Sequence, residues 1–176
     1  GFIWMATEYG LNRFDGQTFR TWTQASDGLQ RQKQHHLLED GQGYLWSFCL
    51  AVWRFQRDVK TIDLVNIYTG EVITPEARFG AQWTWTTQDI LSFADDEQGR
   101  VTLSLRDGRL VHFLPDGRIE TVCPDVAENF YLSHYDRQGR LWGEYYRRRN
   151  GKDWSKLIAL DPQGEVWYRS PHWTRT

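Results

Sequence analysis

Acidic side chains recur in the sequence just before glycine-containing turns, and they are the first candidates for chemistry. They are Glu39, Asp40, Asp95, Asp96 and Asp136. Paired carboxylates can do general acid–base work. A carboxylate that recurs at matching positions of a repeat is more typical of turn capping, in which it accepts hydrogen bonds from backbone N–H groups. We therefore predict turn caps here and no enzyme activity for this chain; a catalytic carboxylate pair would have to be assembled by folding.

The other reactive side chains form no metal or catalytic pattern. His35 and His36 are adjacent, and adjacent strand residues face opposite sides, so the two cannot chelate one metal ion together. Cys49 and Cys123 are too few for a disulfide framework, and we expect two small core residues. No Ser/His/Asp order, zinc-ligand spacing or phosphate-binding glycine loop is present. We expect no metal and no cofactor.

The ten Trp, nine Phe and eight Tyr residues favour sheets faced with flat rings over helix bundles. Two of the tryptophans also suggest binding. Trp83 and Trp85 are two residues apart and would present both rings on one side of an extended segment. Such rings can stack on the C–H faces of sugars. We predict a carbohydrate-contacting surface made of Trp83, Trp85, Tyr145, Tyr146, Arg147 and Trp154.

Each part of that surface also has a structural alternative. The aromatic rings could cap the ends of long hairpins. The run of three arginines from Arg147 could be a solvated hairpin edge, where charge discourages unwanted strand pairing, or it could contact an acidic sugar or a partner chain.

The positions of these residues depend on a sequence motif that occurs four times. Each copy is an apolar strand, a polar turn closed by a glycine that tolerates positive φ, and a second strand. The copies begin at Leu11, Leu64, Leu110 and Leu157, and a period of roughly 50 residues indicates a repeat architecture. An acidic turn and an apolar run before the hairpins supply two more strands.

Four strands in each repeat are typical of a β-propeller blade. We predict an all-β chain with almost no helix, forming a single propeller fragment over 1–176 with blades at approximately 1–24, 34–74, 88–123 and 129–170. The first blade lacks the first strand of the four-strand unit, which residues 170–176 could supply only if four blades closed into a ring. We therefore expect an open arc of a larger propeller, with exposed apolar sheet that favours self-association.

The connections differ in length from blade to blade. Blade two has a long hairpin that should turn near 56–60, and blade four has one with Asn150-Gly151, a strong hairpin signal. The connection 74–86 is long and aromatic. In an up-and-down blade these connections emerge on one face, and function in such scaffolds usually lies on variable loops.

Charge and composition exclude several classes of protein. The formal net charge of −2 gives no basic footprint for nucleic acid. No stretch approaches the roughly 20 apolar residues of a membrane helix. The chain opens at Gly1 inside a blade, so it reads as a segment of a longer protein.

Residues 1–46 carry the clearest family pattern. Gly1-Phe2-Ile3-Trp4 through Thr7 is followed by Gly10-Leu11-Asn12-Arg13-Phe14-Asp15, then by Gly28-Leu29, and by Glu39-Asp40 through Trp46. This pattern resembles the two-component regulator propeller repeat, although Ala6 replaces a glycine and Thr102 replaces the tryptophan of a later copy. The resemblance implies a periplasmic or extracellular sensor segment of a bacterial, often hybrid, two-component histidine kinase.

Two functions follow from the resemblance and the aromatic connections. The first is a non-catalytic ligand-sensing segment that recognises carbohydrate, with an oligosaccharide as partner. The second is a protein–protein interaction scaffold without a small ligand, since Trp, Tyr and Arg are typical of interface hot spots. Other expected partners are the remaining propeller blades or a second copy of the chain, with a membrane reached only through the parent protein.

Overall fold

The structure is a computed structural model that describes residues 1–53, 56–124, 129–150 and 152–175. It contains 52% strand and 9% helix. The chain divides into two compact units, Gly1–Gln88 and Asp89–Thr176. None of the helices in the described ranges is long and apolar enough to span a membrane.

The unit Gly1–Gln88 contains two antiparallel sheets and two short helices. The first sheet has the order β1-β2-β3 and the second β4-β5-β6-β7. The elements are β1 (Ile3–Thr7), β2 (Gly10–Phe14), β3 (Phe19–Trp22), α1 (Gln24–Asp27), β4 (His36–Glu39), β5 (Tyr44–Trp53), β6 (Gln56–Asn66), β7 (Val72–Ile73) and α2 (Pro75–Phe79), followed by 3-10 turns at Gly80–Gln82 and Thr87–Asp89.

The unit Asp89–Thr176 also contains two antiparallel sheets, with the orders β8-β9-β10-β11 and β12-β13-β14-β15. A further short strand, β16, pairs with β14. The strands are β8 (Ile90–Asp95), β9 (Val101–Leu105), β10 (Leu110–Phe113), β11 (Ile119–Val122), β12 (Phe130–Tyr135), β13 (Leu141–Arg149), β14 (Lys152–Leu160), β15 (Val166–Arg169) and β16 (Thr174–Arg175).

The sheet orders confirm the predicted all-β, four-stranded propeller blade. Three sheets have four strands in chain order, and the first has three, with the first strand of the blade missing as expected. The chain end belongs to the fourth sheet. Residues 174–175 pair with β14 of their own sheet and do not complete the first one. The open arc and the single fragment over 1–176 stay predictions.

Asp40, Asp96 and Asp136 cap turns, which confirms the prediction for three of the five acidic residues. Asp40 Oδ1 accepts hydrogen bonds at 2.9 Å from the backbone N–H groups of Gln42 and Tyr44, and Oδ2 accepts one at 2.9 Å from Trp46 Nε1. Asp136 repeats the pattern, with Trp142 Nε1 donating to Oδ2 at 2.9 Å. The carboxylate therefore holds both the turn and the next tryptophan.

The third sheet, β8 to β11, differs from the others at this position. It has Thr102 where the other copies of the motif have tryptophan. Thr102 Oγ1 lies 2.8 Å from His112 Nδ1 and 2.7 Å from the Tyr135 hydroxyl. Thr102 is fully buried and His112 is 9% exposed. A hydrogen-bonded polar network thus replaces one large ring.

Both predicted long hairpins are present. In β5–β6 the pairing continues to Trp53 opposite Gln56. The predicted turn near 56–60 is therefore wrong, because residues 56–59 pair with β5; residues 54–55 lie outside the described residues. In β13–β14 the pairing continues to Arg149 opposite Lys152. Asn150 has φ 52°, the left-handed conformation that this turn requires.

The two cysteines differ in their surroundings. Both are free thiols; Cys49 is buried in β5, whereas Cys123 is exposed after β11. The expectation of two core cysteines therefore holds for Cys49 and is wrong for Cys123, because that residue is exposed and follows β11, an edge strand of its sheet.

Candidate functional site

The distal half of the β13–β14 hairpin extends past its neighbouring strands and sorts its side chains onto two faces. Directly opposed residues of antiparallel strands share a face. Tyr145 lies opposite Lys156, and Arg147 lies opposite Trp154, on one face; Tyr146 lies opposite Ser155 on the other. The hairpin therefore presents an aromatic and cationic face formed by alternate residues.

The chain end adds an aromatic side chain to this face. β16 pairs with β14 through Trp154 opposite Arg175 and Ser155 opposite Thr174. This pairing places the Trp173 ring 5.6 Å from the Tyr145 ring, and Lys156 Nζ lies 5.2 Å from the Trp173 ring centroid. Trp173 is thereby held by an aromatic contact on its own sheet and a cation–π contact.

A cleft of about 380 Å³ lies among these residues. It is lined by Arg147, Asn150, Lys152, Trp154 and Trp173. Both tryptophans are half-buried, and the three polar residues are exposed. We call this the β13–β14 cleft. Its walls combine ring faces with N–H donors, an arrangement that suits a polar ligand with flat apolar faces.

The lining of the β13–β14 cleft contains no carboxylate among the described residues. Hydrolysis of a glycosidic bond commonly uses two of them. No group of three or more His, Cys, Asp or Glu side chains in the described ranges could hold a metal ion.

Tyr146 lies on the opposite face of the hairpin from the cleft. Its ring packs edge-on against Tyr131 at 5.1 Å. Burial and the neighbouring Glu144 carboxylate raise the pKa of Tyr146 to about 12. Sequence reasoning placed Tyr145 and Tyr146 together, but strand alternation separates them.

Trp83 and Trp85 belong to the other unit, Gly1–Gln88, and differ from the expectation of exposed rings. Each is 8% exposed. Trp83 stacks on Phe79 at 6.0 Å, meets Trp46 at 6.4 Å and receives Trp85 edge-on at 5.6 Å. The connection is not extended, because Thr74 caps the helix α2. Phe79 at the end of this helix and Trp83 after it both contact Trp46 of β5.

Trp173 is the cleft residue that sequence reasoning missed. It stands near the chain end, after Ser170-Pro171, with no repeat pattern around it. Its role depends on β16 pairing with β14, a long-range contact that the sequence does not signal. Asn150 and Lys152 were noted only as parts of the hairpin turn.

The sequence matches no protein-family model and no curated protein. Solved structures are similar in fold. One is described as the extracellular domain of the proposed one-component system BT4673 of B. thetaiotaomicron, with a TM-score of 0.59 and 15% identity over 97% of this chain. The chain is a β-propeller segment. A second structure, described as the extracellular domain of the proposed hybrid two-component system BT4673, covers 100% of the propeller segment at a TM-score of 0.55 and 15% identity.

The propeller segment is much shorter than the proteins it resembles. It spans 22% of the chain in each of these two structures. At 15% identity the likeness shows the fold, which is the part of the resemblance to the two-component regulator propeller repeat that is confirmed.

Proposed function

We propose that this chain is a non-catalytic, ligand-sensing propeller segment of an extracytoplasmic two-component sensor, and that it binds carbohydrate in the β13–β14 cleft. The observation that carries the proposal is the pair of half-buried tryptophans, Trp154 and Trp173, held in one cleft beside exposed cationic and amide side chains. The similar fold of the BT4673 extracellular domains supports the sensor role and the location outside the cytoplasm.

The cleft fits a sugar for a physical reason. A sugar ring has C–H faces that can lie on a tryptophan ring and hydroxyl groups around its edge that accept hydrogen bonds. Arg147, Asn150 and Lys152 supply N–H donors around the rings. Because Trp173 is fixed against Tyr145 and Lys156 before any ligand arrives, little ordering is needed on binding.

The test is a titration of the protein with a panel of oligosaccharides, followed by calorimetry and tryptophan fluorescence. Trp173→Ala and Trp154→Ala should each weaken the best ligand roughly tenfold, because losing one stacked ring removes about 1–2 kcal/mol of apolar burial. Trp167→Ala is the matched control, since Trp167 is 54% exposed on β15 and does not line the cleft.

Three outcomes are informative. Loss of affinity in the two cleft variants but not in Trp167→Ala supports the proposal. Equal loss in all three variants, or no ligand in the panel, contradicts it. Turnover of any polysaccharide would contradict the non-catalytic part.

A second candidate function, a protein-interaction scaffold, is favoured by one observation. Trp167, Tyr168 and Leu157 are 54%, 38% and 40% exposed, and the Arg140 guanidinium lies 3.9 Å from the Trp167 ring centroid. Aromatic and Arg side chains of this kind are common at interface hot spots. If the chain is a protein-interaction scaffold, Trp167→Ala should weaken assembly with another propeller or a second copy. Trp154→Ala and Trp173→Ala should not.

A further inference from the structure

A second cleft, of about 740 Å³, lies wholly within the unit Gly1–Gln88. Its wall contains Arg31 and Lys33 from the connection between α1 and β4, His35 beside β4, Leu50 from β5, and Lys60 from β6. Three of these side chains are cations exposed to solvent. We call this the Arg31 cleft, and it shares no residue with the β13–β14 cleft.

The segment that carries Arg31 is fixed by hydrogen bonds on both sides. The backbone N–H of Gln30 donates to the Asp63 carboxylate at 3.1 Å. Gln34 Nε2 donates to the Arg31 carbonyl at 2.7 Å, and the Gln34 amide oxygen accepts from Ser47 Oγ at 2.7 Å. Since Asp63 and Ser47 are 0% exposed and Gln34 is 2% exposed, these anchors lie in the protein interior.

Lys60 is directed by a β-bulge. Leu50 pairs with Val59 and Cys49 pairs with Thr61, so Lys60 is the extra residue between two ladder pairs. Bulges commonly re-aim a side chain next to a functional site. The cation is therefore placed by an irregularity of the ladder.

His35 contributes a hydrogen-bond donor to the wall. The backbone N–H of Leu50 donates to His35 Nδ1 at 3.0 Å, so in the neutral ring the hydrogen is on Nε2. Burial and, to a smaller extent, the neighbouring Lys33 cation lower the pKa of His35. The neutral imidazole thus adds a further N–H to a wall that is already rich in donors.

The charge of the Arg31 cleft is incompletely balanced. Lys33 forms an ion pair with Glu8 at 2.5 Å at the exposed rim. Among the described residues, Arg31 and Lys60 form no ion pair with a carboxylate. Asp63 lies behind the wall, where burial raises its pKa. Clefts lined by one sign of charge concentrate ligands of the opposite sign.

We propose that the Arg31 cleft binds an oxyanion, namely a carboxylate or sulfate group, either on a small molecule or as the free inorganic anion. Arg31 binds two oxygens through its planar guanidinium, and Lys60 binds as a point charge from the bulge. The His35 imidazole donates one neutral hydrogen bond. The ligand requires no partner residue from the other unit.

The proposal is tested by titrating the whole chain with sodium sulfate, with D-glucuronate and with neutral D-glucose, followed by nuclear magnetic resonance of the backbone amides. Sulfate and glucuronate should shift the amide signals of residues 31–35 and 50–51, whereas glucose should not. Arg31→Gln and Lys60→Gln should each weaken anion binding about tenfold or more, because each removes a charge-assisted contact. About 0.5 M sodium chloride should weaken it as well.

Arg137→Gln is the matched control, because it removes one exposed cation that does not line this cleft. Thermal unfolding of each variant confirms that it folds. Sulfate binding without glucuronate binding would support the site and assign it to a free inorganic anion. Equal binding of glucose and glucuronate, no shifts with either anion, or unchanged affinity in Arg31→Gln would overturn the proposal.

Discussion

The buried His112 should make the stability of this protein depend on pH. Burial and, to a smaller extent, the nearby Arg100 cation lower the pKa of His112 from 6.5 to about 4. The unfolded chain binds a proton at this residue near pH 6.5, and the native state does so only near pH 4. Stability contributed by the neutral imidazole is therefore complete above pH 6.5 and is lost as the pH falls toward 4.

The size of this loss follows from the interval between the two pKa values. At about 1.36 kcal/mol for each pH unit, the native state loses about 3 kcal/mol between pH 6.5 and pH 4. The imidazole is only 9% exposed and lies 2.8 Å from Thr102 Oγ1. Charging it would also require the Thr102–Tyr135 contact at 2.7 Å to reorganise.

The assay is urea unfolding at a series of pH values between about 7.5 and about 4.5. His112→Asn keeps a polar atom near the position of Nδ1 but cannot be protonated. It should reduce the pH slope of stability even if the smaller side chain lowers stability at every pH. His134→Asn is the matched control, because His134 is exposed, and it should keep the wild-type slope. A slope in His112→Asn equal to that of the wild type would refute the reasoning.

Three further substitutions test the frame of the sheets in unfolding experiments. Gly143→Ala should cost about 2 kcal/mol or more, because the added Cβ would clash with the Tyr131 carbonyl oxygen; a cost equal to that of the exposed Ser133→Ala would contradict this. Burial raises the pKa of Asp63 above its unfolded value, so this residue should make the free energy of unfolding fall as the pH rises between the two pKa values. Asp63→Asn should make that fall smaller, and a steeper fall would contradict the argument. Arg78→Ala should cost about 2–4 kcal/mol, since it leaves the Asp40 carboxylate, 2.6 Å from Arg78 and 5% exposed, without its cation. Arg78→Lys should recover part of that cost, and equal stability of the two variants would contradict the ion-pair argument.

The fold could be predicted because its signals are local. A glycine with positive φ, an aspartate that caps a turn and a tryptophan six residues later all act within a few residues of one another. Asp40 with Trp46 and Asp136 with Trp142 show that the repeated phrase encodes repeated hydrogen bonds. The departure at Thr102 was visible in the sequence, but the His112 network that accommodates it was not.

The site was harder to predict because its parts are distant in sequence. Trp173 joins the β13–β14 cleft only through the pairing of β16 with β14. The sequence predicts that Trp83 and Trp85 are exposed loop residues. In the structure the helix α2 precedes them, and Trp83 contacts Trp46. Neither a two-residue strand nor a five-residue helix has a periodicity that sequence reading can detect reliably.

The most direct test of the account is to observe the tryptophan indole N–H signals while an oligosaccharide is added. The chain has ten tryptophans, and single substitutions assign the signals of Trp154, Trp173, Trp167 and Trp46. A ligand in the β13–β14 cleft should shift the signals of Trp154 and Trp173 and leave those of exposed Trp167 and buried Trp46 in place. Shifts at Trp167 or Trp46 without any at Trp154 and Trp173 would show that the recognition surface lies elsewhere.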